Sequence, residues 1–158
     1  MKGIEIIDQN FLFSPLWRDL WYDRVLLAKA DEGTESRAWR VLIVEDEALV
    51  ALDIELALQS AGFDVVGSVD SQDDAVAETF RLLPDIVLMD ITLRQGDGIA
   101  ASRAIGTAAS VIFVSGNTDS KTLAAARQTN PAGFLTKPFS SHDLARAVRD
   151  ACEQKGRA

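Results

Sequence analysis

The chain has 158 residues, 47% of them apolar and 25% charged, with a formal net charge of −8. That length suits one core of ordinary size, and the composition is that of a globular protein. The acidic balance, with no cluster of lysine and arginine, argues against nonspecific binding to nucleic acid, which requires cations spread along the phosphate backbone.

Single residue types remove further classes. Cys152 is the only cysteine and His142 the only histidine. No internal disulfide can form, so a reducing cytoplasm is the natural setting. Zinc hydrolysis has no ligand set, and any Ser-His-Asp triad would hang on His142 alone. Cys152 reads as a buried thiol on a terminal helix, and His142 as a solvated surface residue. The opening MKGIEIIDQN is not a secretory signal, and no apolar run approaches the ~18 residues of a membrane-spanning helix, so stable membrane insertion is not expected.

Residues 1–38 stand apart as an extension. Ser14-Pro15 pairs a capping residue with a proline suited to a first helical turn. Leu16, Trp17, Leu20, Trp21, Val25, Leu27 and Ala28 then share one half of a helical wheel, and Arg18, Asp19, Asp23 and Lys29 the other. The spacing predicts an amphipathic helix over about 15–30, followed by the polar linker Asp31–Ser36. Its apolar face suits packing on its own domain or on a second copy, and it carries too little positive charge for a membrane surface.

From Arg40 the pattern becomes an alternation. Apolar runs at Val41–Val44, Val65–Val66 with Phe63, Ile86–Met89, Val111–Val114 and Phe134–Leu135 read as strands. Between and after them lie helical stretches at Glu47–Ala61, Gln72–Leu83, Ile99–Ile105, Asp119–Gln128 and Asp143–Cys152. Strand and helix alternating with short turns predict a parallel, doubly wound α/β domain over 39–155, its strands covered on both faces. Ligands of such folds sit at the carboxyl ends of the strands.

The strand ends carry polar residues. The first strand runs into Glu45-Asp46-Glu47, the third into Asp90, the fourth into Ser115-Gly116 and the fifth into Lys137-Pro138. Parallel strands bring these ends to one edge, where clustered carboxylates repel unless a cation joins them. Mg2+ fits: it takes hard oxygen ligands and is commonly held by one or two carboxylates with phosphate oxygens. With Lys137 as a fixed charge and Ser115 as a donor, the set suits phosphoryl transfer to an aspartate.

The motifs VLIVEDE, PDIVLMD, VIFVSG and GFLTKPF, in this order, resemble the receiver domain of two-component response regulators over about 40–152. The resemblance implies a flavodoxin-like sheet of strand order 2-1-3-4-5 and a phosphoryl group accepted by Asp90 from a phosphohistidine on a histidine kinase or phosphotransfer protein. It implies Mg2+ bound by Asp46 and Asp90 directly, by Glu45 through water, and by the backbone carbonyl of Thr92. Lys137 and Ser115 would contact the phosphoryl oxygens. Ser115 moving toward the phosphate would let the Phe134 ring turn inward, remodelling the surface of the fourth helix, fifth strand and fifth helix. The Lys137–Pro138 peptide is expected to be cis.

Some positions depart from the family pattern. Leu93-Arg94-Gln95-Gly96-Asp97-Gly98 replaces the usual proline and methionine, which predicts a looser loop. Gly116 stands where alanine is usual, which would open the phosphate to water or donor. Thr92 and Asn117, each two residues past a key position, are expected to set the autodephosphorylation rate. With nothing after Ala158, no output domain is expected, and signalling would pass through altered binding to a downstream protein. A homodimer would use the N-terminal helix or the face of the fourth helix, fifth strand and fifth helix. Apolar residues nearly encircle the first helix, so Ala48, Val50 and Ala51 are a candidate docking surface for a histidine-kinase helix bundle. The chain would then catalyse only its own phosphorylation and dephosphorylation and not be an enzyme otherwise. The alternatives are a pseudo-receiver that only binds proteins and an aspartate-nucleophile phosphatase. Thr92 stands where such a phosphatase needs its second aspartate.

Overall fold

The apolar runs form a parallel sheet sandwiched between helices. The computed structural model describes residues 37–116 and 119–156; the segment read as an amphipathic helix and Asn117 lie outside them. Strands β1 (Arg40–Val44), β2 (Asp64–Val69), β3 (Ile86–Asp90), β4 (Ser110–Ser115) and β5 (Gly133–Thr136) alternate with helices. These are α1 (Ala48–Ser60), α2 (Gln72–Leu82), α3 (Gly98–Ile105), α4 (Ser120–Arg127) and α5 (Ser141–Gly156). The strand order is β2-β1-β3-β4-β5, all parallel, the flavodoxin-like arrangement expected from the sequence.

Alternation of side chains along each strand divides the apolar residues between two layers. Val41, Ile43, Ile86, Leu88 and Ile112 pack against Ile54 and Leu58 of α1 and Leu144 and Val148 of α5. Leu42, Val44, Val87, Met89 and Phe113 point the other way, onto Ala75 of α2, Ile99 and Ile105 of α3 and Ala126 of α4. Both strand faces are therefore dry, which is why β1, β3 and β4 read as unbroken apolar runs.

Local chemistry sets the helix starts. Asp97 and Asp119 accept N–H groups of the first turns of α3 and α4, and Ser71 accepts that of Asp74 in α2. Ser140 and Asp143 bond reciprocally before α5, the pattern of a capping box with aspartate in the glutamate position. That box explains why α5 begins at Ser141, earlier than the apolar spacing indicated.

Strand β2 departs most from the sequence reading. It runs to Val69, and Phe63 lies just outside it in the core beneath α1. Gly67 and Ser68 dilute its apolar pattern because β2 is an edge strand, and its pairing with β1 shifts register after Val41.

Candidate functional site

Strand register assembles the site. Val44 pairs with Met89, Asp90 with Val114 and Ser115 with Thr136, so the residues closing β1, β3, β4 and β5 share the carboxyl edge. The backbone N–H of Lys137 donates to the carbonyl of Ser115 at 2.7 Å, continuing that ladder past the end of β5. The strand order reverses between β1 and β3, and their neighbouring connections leave to opposite faces of the sheet, opening a crevice there.

Lys137 stands at the centre. Its Nζ donates to Glu45 Oε2 at 2.6 Å and to Asp90 Oδ2 at 2.7 Å. Asp90 Oδ1 accepts the backbone N–H of Thr92 at 2.7 Å, and Glu45 Oε1 accepts that of Glu47 at 3.1 Å. Asp46 faces the β3–α3 loop: its Oδ2 accepts the Arg94 N–H at 3.1 Å and lies 2.9 Å from Arg94 Nε. Glu45 and Asp90 are buried at 4% and 7% exposure, and these bonds satisfy carboxyl oxygens that would otherwise be costly to bury.

Burial pushes the Glu45 carboxyl above its ordinary range, outweighing the lowering by Lys137 and the Glu47 amide. Burial alone would pull the Lys137 ammonium down; its bonds to Asp90 and Glu45 and their charges prevail and hold it above the usual lysine value. By formal charge, Glu45, Asp46 and Asp90 set three negative groups against the two positive ones of Lys137 and Arg94.

Glu45, Asp46 and Asp90 each offer an oxygen within 4.8 Å of the others. An all-oxygen, anionic donor set beside an open cleft fits Mg2+, which retains waters and accepts few protein ligands. That cleft, of about 400 Å3, is lined by Asp46, Asp90, Thr92, Arg94, Gly116 and Lys137.

The structure thus brings together Glu45, Asp46, Asp90 and Lys137 as the sequence indicated. Ser115 is buried at the end of β4, where its hydroxyl donates to the Gly116 carbonyl at 3.2 Å. Gly116 is exposed and a β-carbon there would meet nothing within 4 Å, leaving the approach open. Phe134 is 38% exposed, its ring 5.7 Å from that of Phe113. The Lys137–Pro138 peptide is cis, as expected. His142 is exposed, and Cys152 is buried, its thiol pushed up to about 11 by burial.

Two expectations need correction. The β3–α3 loop is pinned rather than loose. Gln72 donates its N–H to the Gln95 carbonyl and accepts the Asp97 N–H on its side chain at 2.8 Å. On α1, Ala48 is exposed as the expectation required, but Ala51 is buried against the sheet and Val50 packs on the core, while Leu49, Leu52 and Leu56 carry the apolar outer surface at 79%, 48% and 54% exposure. Their i, i+3, i+7 spacing held that signal. The Arg94–Asp46 contact had none, because 48 residues separate the partners.

The response regulator receiver domain family matches residues 41–149. Transcriptional regulatory protein PdtaR of Mycobacterium tuberculosis is 33% identical over 111 residues, 69% of this chain and 54% of that protein, so the chain spans about half of this relative. Chemotaxis protein CheY of Bacillus subtilis is 32% identical over 114 residues, 70% of this chain and 95% of that protein. Among solved structures, the signal receiver domain of a modulated diguanylate cyclase from Desulfovibrio desulfuricans G20 superposes with a TM-score of 0.72 at 34% identity, covering 75% of this chain and 97% of that one.

Proposed function

Because the chain belongs to the response regulator receiver family of two-component signalling, we propose that it accepts a phosphoryl group on Asp90 and signals by altered protein binding. One observation carries this reading. At the carboxyl edge of the sheet, Lys137 bonds at once to Asp90 and Glu45, with Asp46 alongside and a cleft above.

Glu45, Asp46 and Asp90 would hold Mg2+, with the Thr92 carbonyl completing the protein ligands. Bound there, the ion would neutralise charge on the carboxylates and on the phosphoryl oxygens. Asp90 supplies a carboxylate oxygen that attacks phosphorus. The new bond is an acyl phosphate, and the electron pair of the broken P–N bond returns to the donor's imidazole. The ammonium of Lys137 and the hydroxyl of Ser115 face the phosphoryl oxygens. In the reverse release, water attacks phosphorus and the carboxylate of Asp90 is regenerated. Thr92, Gly116 and Asn117 govern how readily that water enters. Ser115 and Phe134 are the switch pair: a hydroxyl drawn to the phosphate vacates space that the aromatic ring fills.

The phosphodonor is a histidine kinase or histidine phosphotransfer protein. Its helix bundle docks on the exposed leucines of α1, which lies next to the acidic crevice and offers an apolar face beyond what packing consumes. The chemistry is confined to this chain's own aspartate.

Intact-mass spectrometry tests the reading. Incubation with Mg2+ and acetyl phosphate is expected to add one phosphoryl group, labile to hydroxylamine and absent from Asp90→Ala. No Mg2+-dependent gain from acetyl phosphate or from a protein donor, in protein whose fold is intact, would leave a pseudo-receiver.

A further inference from the structure

The residue that faces Asp46 is Arg94, from the β3–α3 loop. Three contacts fix it there. The guanidinium Nε lies 2.9 Å from Asp46 Oδ2, Nη2 donates to the Asp46 carbonyl at 3.2 Å, and the Arg94 backbone N–H donates to the same Oδ2 at 3.1 Å. The Arg94 side chain is 72% exposed and that of Asp46 only 11%. A largely solvated cation therefore covers an almost enclosed carboxylate that can serve as a metal ligand.

We propose that Arg94 is a built-in competitor for the divalent cation, holding Asp46 until the ion displaces its guanidinium. The inference rests on the reading of Glu45, Asp46 and Asp90 as a Mg2+ site. Carboxylate oxygens shared with a guanidinium have less negative potential to offer an ion, and a positive charge beside the site repels it. Lys137 exerts the same pull on Glu45 and Asp90, but it is held by two bonds in a partly buried position. Arg94 is the cation free to leave, since its exposed head loses little by returning to water.

Its departure would not be silent. The β3–α3 loop is tied to the start of α2 by the Gln72 bonds to Gln95 and Asp97, directly after Arg94. Release of the guanidinium thus frees the cleft rim while the rest of the loop stays anchored. The site then exchanges one cation for another, and the entering ion must outcompete a tethered charge.

The test is isothermal titration calorimetry with MgCl2 on the wild-type chain, Arg94→Gln, Arg94→Lys and Asp46→Asn. Arg94→Gln keeps the backbone N–H bond to Asp46 and removes the guanidinium with its charge and its two side-chain contacts; it is expected to bind Mg2+ about two- to fivefold more tightly than wild type, the scale of an exposed ion pair. Arg94→Lys keeps the charge and is expected to fall between the two. Raising the salt concentration should narrow the gap, because exposed charges are screened. Equal or weaker binding by Arg94→Gln, with wild-type binding intact and lost in Asp46→Asn, overturns the competitor role alone. No Mg2+ binding by wild type or Arg94→Gln overturns the metal site itself and the competitor role with it.

Discussion

Glu45 shows how one buried carboxyl links folding, pH and metal. Its value in the folded protein is raised above the ordinary 4.5, chiefly by burial. The fold therefore retains a proton that the unfolded chain would release. Glu45's contribution to stability is fully present below the unfolded value and is lost as pH rises through the raised one. A cation reverses that balance, since it binds only the ionised form and displaces the proton. Mg2+ affinity is accordingly expected to strengthen between about pH 5 and about pH 7.5, with Glu45→Gln flattening the rise. Calorimetric titration at the two pH values checks this; an affinity independent of pH would mean Glu45 does not take part. Lys137 has the opposite relation to the site. Its raised value keeps it charged throughout that range, so it supplies a constant field.

The element that distinguishes this site is the connection from β3 to α3. Two glycines let it turn back on the strand. Gly96 has φ +103°, and a β-carbon there would sit 2.3 Å from Gln72 Cβ; at Gly98 it would sit 2.0 Å from the Asp90 carbonyl oxygen. Backbone cannot yield as a flexible side chain does, so Gly98 is required for the close approach of α3 to the end of β3. Gly98→Ala is expected to destabilise the domain by about 1–3 kcal/mol or more, and to weaken Mg2+ binding by displacing Asp90. Urea denaturation and the same titration measure the two effects. A neutral substitution would mean that the loop adjusts freely, against the anchoring by Gln72.

For the whole molecule, the sheet is a rigid platform with different uses for its two flanks. The α1–α5 layer gives its inner faces to the core and leaves Leu49, Leu52 and Leu56 of α1 outward. Leu49 is the most exposed, so Leu49→Arg is expected to change stability by no more than about 0.5 kcal/mol. It should lower the rate of phosphorylation by a protein donor relative to that by acetyl phosphate about tenfold, the loss of ~1.4 kcal/mol of docking. The ratio of the two rates is the readout, because a general defect in the site would lower both together. An unchanged ratio would remove α1 as the docking surface. Among the described residues no helix is long and apolar enough to cross a membrane.

The sequence by itself determined the alternation of strands and helices, because a strand buried on both faces must be apolar throughout and a parallel neighbour needs a helical crossover. It also determined which polar residues meet: Glu45, Asp46, Asp90, Ser115 and Lys137 each follow or close an apolar run, and parallel strands have only one carboxyl edge. Tertiary structure alone decided what depends on partners distant in the chain. Lys137 lies 92 residues from Glu45 and 47 from Asp90, yet it meets both with one ammonium. Arg94 reaches Asp46 and Gln72 clamps Gln95 and Asp97 through contacts that no local spacing encodes. The leucines of α1 differ from its buried Ile54 and Leu58 only by which side the sheet occupies. Periodicity reports what each segment needs to bury; the folded sheet decides which charges meet.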